Sequence, residues 1–190
     1  MRPPWPVLLR SEEIHLQPLR YRDRARWNSV RAENKDWLTP WEATLPHVEG
    51  ESQDFELPSF FEMVSNLARE GRSGRSYSLM IWKDNNLIGQ ITMGGVVYGA
   101  LRGAHIGYWI DRAHAGRGYT TKAVEMMTNF GFSTLGLHRI EINIRPENSG
   151  SIRVAEKAGY IFEGERFRYL HIDGAWRDHR CFVKENPSVI

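Results

Sequence analysis

The segment His138 to Arg145, HRIEINIR, most narrows the folds open to this chain. Ile140, Ile142 and Ile144 alternate with Glu141, Asn143 and Arg145, so a strand here has one apolar and one polar face. Its isoleucines need a covering layer, and helical patterns stand on either side of it. Upstream, Ala123, Met126, Met127 and Phe130 share one helical face. Downstream, PENSGSIRVAEKAGY predicts a short helix stopped at Gly159. Helix, strand, helix in succession implies a mixed α/β domain.

The remaining segments extend that order. Ile14 to Leu19 reads as a strand in which Pro18 marks an edge position or the strand's end, and RDRARWNSVRAENKDWL as a helix carrying Trp27 and Val30, with Asn34 or Trp37 and Leu38 continuing its face. LTPWEATLP breaks it with two prolines, and Phe60, Met63, Val64 and Leu67 mark a second helix in FELPSFFEMVSNLARE. SYSLMIWK and LIGQITMGGVVYG form a hairpin around Asp84 to Asn86, with RGAHIGYWI as a third strand. ERFRYLHIDGAWRDHRCFVKE reads as two strands joined at Asp173 and Gly174. At 190 residues and 41% apolar, residues 1–190 make one domain, with 1–12 a flexible or extended arm.

Composition excludes several classes. The net charge of +2 is carried by dispersed arginines, which does not call for dedicated nucleic-acid binding. No apolar run reaches the roughly 20 residues of a bilayer span, and MRPPWPVLL is too short and proline-broken for a signal peptide, so a cytoplasmic location is expected. The lone Cys181 cannot form an intramolecular disulfide; it reads as a small buried residue in a strand.

Between the GYWI strand and the helix lies HAGRGYTTKA, residues 114–123. It has neither P-loop spacing nor a dinucleotide fingerprint. A glycine loop running from a strand into a helix nevertheless gathers free amides and the positive helix end at one point, which suits a pyrophosphate. A tight turn needing glycines for steric reasons alone is the other reading.

Taken together, GYWID, HAGRGYTTKAVEMM and LHRIEINIRPENSGSIRVAEKAGYIFEGERFRYL resemble the GNAT superfamily of N-acetyltransferases, and more narrowly the ribosomal-protein-alanine (RimJ- and RimL-like) group. The resemblance covers nearly the whole chain, with IHLQPLRYRD and PWE in the substrate half. It implies a GNAT fold: a twisted, mostly antiparallel seven-stranded sheet, helices on both faces, and a splay between the fourth and fifth strands. It implies acetyl-CoA as co-substrate and no metal. The cofactor is expected at Trp109, Ile110 and Asp111 on the strand end, at Ala115, Gly116, Arg117, Gly118, Tyr119 and Thr120 in the loop, and at Asn148 and Ser151 beside the thioester. Trp41, Glu42, Tyr108 and Tyr169 are expected near the acceptor. Pairs of subunits are common in resembling enzymes, so a homodimer is possible here.

The reaction so implied is attack of an amine on the thioester carbonyl through a tetrahedral oxyanion, with expulsion of the CoA thiolate. A backbone N–H within Trp109 to Asp111 is the oxyanion donor, and Ser151 with Asn148 serves the thiolate. Asn148 alternatively caps the following helix. Two departures stand out: Ala113 occupies a position where Arg or Gln is usual, and Ala155 one where many relatives carry a tyrosine that protonates the thiolate. Glu42, His105 and Asp111 are candidate bases, but for each the structural reading is the stronger: an arginine partner, a strand face, a loop cap. The implied acceptor is a protein N-terminal α-amine, such as that of a ribosomal protein. A small-molecule amine or a non-catalytic acetyl-CoA-binding module are the alternatives.

Overall fold

The computed structural model describes residues 3–49 and 57–189. Among them, eight strands form one sheet: β1 (Leu9–Arg10), β2 (His15–Gln17), β3 (Tyr77–Lys83), β4 (Asn86–Val97), β5 (Gly103–Ile110), β6 (Arg139–Ile144), β7 (Ile161–Ile172) and β8 (Ala175–Glu185). Their spatial order is β1-β2-β3-β4-β5-β6-β8-β7. Neighbours are antiparallel except β5 and β6, which run parallel. The expected count of seven is corrected by β1, whose two residues pair with β2 at Leu9↔Leu16 and Arg10↔His15. Two residues are too few for alternation to register in sequence.

The N-terminal segment is extended and packed from Pro3 onward; Met1 and Arg2 lie outside the described residues. Val7 is buried. Trp5 lies on Gly71, where an added Cβ would stand 2.2 Å from the indole ring, which explains a glycine inside a helix.

Helices cover both faces. α1 (Arg24–Glu33), the single turn α2 (Lys35–Leu38) and α3 (Phe60–Ser73) come before β3, α4 (Tyr119–Asn129) follows β5, and α5 (Ser149–Lys157) follows β6. One core joins Leu79, Ile81, Ile91, Met93, Ile106, Ile140 and Ile142 to Ala123, Val124 and Met127 of α4 and Ala155 of α5. The other joins Met80, Trp82 and Leu87 to Val30 of α1 and Val64 of α3, with Trp27 and Trp109 packed against it. β3 is thus buried on both sides, which accounts for its unbroken apolar run. α3 starts with a capping box, the Ser59 Oγ accepting from the Glu62 amide and the Glu62 carboxylate from the Ser59 amide, and stops at left-handed Gly74. No helix among the described residues is long and apolar enough to cross a membrane.

Candidate active site

The parallel register between β5 and β6 runs only through Gly103↔Arg139, Ala104↔Ile140 and His105↔Glu141. Beyond it β5 stays paired with β4 as far as Ile110↔Gly89, while β6 stays paired with β8 as far as Ile144↔Arg180. The two strands therefore part company, and one edge of Ile106 to Ile110 is left without a neighbouring strand. The expected splay is present, here between the fifth and sixth strands of the chain. A cleft of about 460 Å³ opens there, within the roughly 300–1,000 Å³ range of ligand pockets.

One end of the cleft is the glycine loop. The Asp111 amide donates to the Ile88 carbonyl (2.7 Å), closing the strand, and a short turn spans Arg112 to His114. Gly116 (φ 75°) and Gly118 (φ 87°) both adopt left-handed backbone, and a Cβ at either would meet nothing within 4 Å. Glycine is required by the dihedrals at these positions, and the space above them is open. The first bond of α4 runs from the Lys122 amide to the Gly118 carbonyl (3.0 Å). The amides of Tyr119, Thr120 and Thr121 are therefore left without a backbone partner among the described residues. These donors, at a positive helix end and under an open cradle, suit a pyrophosphate.

The loop is braced from outside. Asn34, buried between α1 and α2, accepts from the Arg112 amide (2.8 Å) and donates to the Asp111 carboxylate (2.9 Å) and the Val30 carbonyl (2.9 Å). Asp111 also accepts from the Ala113 amide (3.2 Å) and lies 2.6 Å from His114 Nδ1. Burial alone would raise the Asp111 pKa, but His114, Asn34 and the Ala113 amide outweigh it and hold the carboxyl below its ordinary value. Asp111 caps the turn, and both its amide and its carboxylate are committed. Arg112, displaced by one from the expected basic position, sits 5.8 Å over the Trp37 ring.

The other wall is α5. Asn148 Oδ1 accepts from the Ser151 amide (3.0 Å), the N-cap bond, which leaves its Nδ2 for another partner. Ser151 Oγ takes no partner among the described residues. Across the splay, the Tyr108 hydroxyl donates to the Ser151 carbonyl (3.2 Å). Burial pushes the Tyr108 pKa well above the usual phenol value, so the hydroxyl keeps its proton. Arg153 and Lys157, four residues apart on α5, also line the cleft. They went unread in sequence, although the i, i+4 spacing of two cations beside Asn148 was a usable signal.

A strap closes the far side. Trp37 Nε1 donates to the Ile110 carbonyl (3.0 Å), and Arg145 donates to the Pro40 carbonyl (2.7 Å) with its guanidinium over the Trp41 ring. Ala43 bridges to Ile172, the Thr44 amide reaches His171 (3.0 Å), and the Asp173 amide reaches Glu42 (3.1 Å). Residues 37–44 thus run from β5 past the end of β6 to the β7–β8 hairpin, and Trp37, Leu38 and Trp41 enter the cleft.

The expected site residues divide accordingly. Tyr108, Trp109, Ile110, Ala115, Gly116, Gly118, Thr120, Asn148, Ser151 and Trp41 line one cleft. Arg117 is exposed and Tyr119 buried, so Tyr119 offers the cleft its amide and gives its ring to the core. Glu42 is ion-paired with Arg31. His105 lies against Gly94 and Gly95 in a smaller cavity of about 140 Å³ with Tyr169 and Glu141. Tyr169 accepts from Arg166 (3.1 Å) and meets the His179 ring edge to face. Glu141, Glu163 and Cys181 bring ligand atoms within 4.8 Å of one another, but Arg139 and Arg166 already take up the carboxylate charge.

Residues 13–161 match the family model described as "Acetyltransferase (GNAT) domain". The chain is 31% identical over 183 residues to the probable N-acetyltransferase YjcK of Bacillus subtilis, covering 95% of this chain and 98% of that protein. It is 29% identical to the [Ribosomal protein uS5]-alanine N-acetyltransferase of Escherichia coli, covering 96% and 92%. The structure of Mycobacterium smegmatis RimJ in complex with CoA-disulfide superposes with a TM-score of 0.86 at 36% identity, covering 97% of this chain and 90% of that one. The strand, glycine loop and helix around the splay thus accompany a family match along most of the chain: it belongs to the GNAT acetyltransferases and is an acetyl-CoA-dependent N-acetyltransferase of the RimJ type.

Proposed function

We propose that the acceptor is the N-terminal α-amine of a protein, a ribosomal protein being the class that the RimJ-type relatives suggest. One observation carries this reading: none of the three candidate bases lines the cleft. Glu42 is paired with Arg31, Asp111 is bound by Asn34 and His114, and His105 sits at the closed end of the splay. An acceptor must then arrive neutral without a dedicated side chain. A peptide α-amine with a pKa near 8 has about a tenth of its population neutral at pH 7, and a lysine near 10.4 about one part in a few thousand. The strap adds a steric preference for a slender chain end. A polyamine would call for free carboxylates. Glu147, the one carboxylate lining the cleft among the described residues, is held by Arg145 (3.2 Å), and Glu141 is held by Arg139 and Arg166.

In this reading acetyl-CoA supplies the activated acetyl group, with its pyrophosphate on the amides of the Gly116 to Thr121 loop. Successive amides of a strand face opposite edges. The Asp111 amide is turned to β4, so within Trp109 to Asp111 the Ile110 amide is the one facing the splay. Its own carbonyl, pointing the same way, already receives Trp37. The Ile110 N–H is therefore the oxyanion donor, while Asn148 Nδ2 and Ser151 Oγ face the thioester from α5.

The test is a panel at pH 7 that follows CoA release and product mass: peptides with a free N-terminus, the same peptides N-blocked with an internal lysine, and spermidine. The neutral fractions alone predict a preference for the α-amine of about two orders of magnitude. Equal turnover on the blocked peptides or on spermidine would refute the proposal.

A further inference from the structure

We infer that the Tyr108 hydroxyl is the hydrogen-bond donor that stabilises the CoA sulfur as it leaves. Tyr108 lies on β5 with its ring packed toward α4 and α5, and its hydroxyl reaches the Ser151 carbonyl in the first turn of α5. That carbonyl is the natural acceptor for the Ala155 amide one turn on, so it does not depend on the phenol. The bond is 3.2 Å, long for an O–H donor. The phenol lines the cleft beside Asn148 and Ser151.

The residue one turn further along α5 explains the space. A long helical side chain covers the turn N-terminal to its own Cα, so a tyrosine at 155 would bring its hydroxyl to residue 151. Ala155 is fully buried and leaves that position to a side chain from the strand opposite. Tyr108 reaches the same point.

The chemistry balances without the phenol losing its proton. The amine lone pair forms the C–N bond, the C–S bond breaks, and its electron pair goes to sulfur. Tyr108 donates a hydrogen bond to that growing charge. The proton finally taken up by sulfur is the one the amine nitrogen gives up. A phenol raised by burial well above a thiol holds its proton throughout, which suits a donor of this kind.

The inference rests on this cleft being the acetyl-CoA seat, and two measurements on the full chain separate the two claims. Binding of CoA to the parent protein, followed by calorimetry, tests the seat. Tyr108→Phe then tests the donor. Its affinity for acetyl-CoA stays close to the parent's while kcat falls roughly ten- to hundredfold, the span of a hydrogen bond to a charged group. The thiol of CoA bound to Tyr108→Phe titrates about one to two units higher than when bound to the parent, read from thiolate absorbance with no acceptor present. A role in merely holding α5 would leave that titration unmoved. An unchanged kcat in Tyr108→Phe, or an unchanged titration of bound CoA, overturns the inference.

Discussion

Substituting Gly118 by alanine separates the anion-cradle reading from ordinary loop strain. Gly118 holds φ at 87°, and a Cβ there points into open space with nothing within 4 Å. Left-handed backbone costs a non-glycine residue about 1–2 kcal/mol. For a domain of this size that lowers Tm by roughly 2–4 °C per kcal/mol. If the open space receives the pyrophosphate, the methyl also displaces it from amide contacts of about 1.5–3 kcal/mol each. Loss of one contact weakens acetyl-CoA binding by about ten- to hundredfold at 1.4 kcal/mol per tenfold. Gly99 is the matched control: its φ is 72°, and a Cβ there also meets nothing within 4 Å. Gly99→Ala carries the same strain far from the cleft. Thermal melts should show similar losses for the two variants, and calorimetric titration should show weakened acetyl-CoA binding for Gly118→Ala alone. If both bind as the parent does, the loop is only a steric turn.

Two further outcomes follow from named bonds. Asn148→Ala removes the N-cap of α5 and costs about 1 kcal/mol in thermal or denaturant unfolding. Asn148→Asp keeps an acceptor for the Ser151 amide and stays near parental stability, yet loses the Nδ2 donor and therefore turnover, as steady-state assay of CoA release will show. Asp111 has a folded pKa below its unfolded value, so its contribution to stability is present above about pH 4 and is lost as pH falls through the folded value. Asp111→Asn accordingly lowers Tm at pH 7, and the gap to the parent closes as pH falls through the lowered folded value.

The fold was legible where one physical rule acted locally. The alternation in β6 reports a strand with one covered face, and the apolar run of β3 reports a strand covered on both. The glycines of the loop were readable too, since left-handed backbone at a helix start is a requirement of two positions. β1 was not readable, because two residues carry no period. What holds the cleft in shape is nonlocal. Asn34 meets Asp111 across 77 positions, and Thr44 meets His171 across 127. In sequence Asn34 is an ambiguous member of a helical face. Its value comes from burial, where a side-chain amide with both ends bonded stabilises and one left unpaired costs about 1–3 kcal/mol.

The end of β5 concentrates these long-range contacts, and strand geometry is the reason. Side chains and amides both alternate along it, so neighbouring residues are committed in opposite directions. Tyr108 faces α5 and Trp109 faces α1 and α3, where its ring meets Trp27 and the Arg31 guanidinium. The Ile110 carbonyl holds the strap through Trp37, while the Asp111 amide returns to β4 and its carboxylate binds Asn34. Four consecutive residues therefore tie together α5, α1, the strap and the glycine loop. A continuous β5–β6 pairing would consume the Ile110 amide and carbonyl in a ladder and leave no cleft. Parting the strands after His105 frees those groups: Trp37 takes up the Ile110 carbonyl that the missing ladder would have covered, and the Ile110 amide is left facing the cleft.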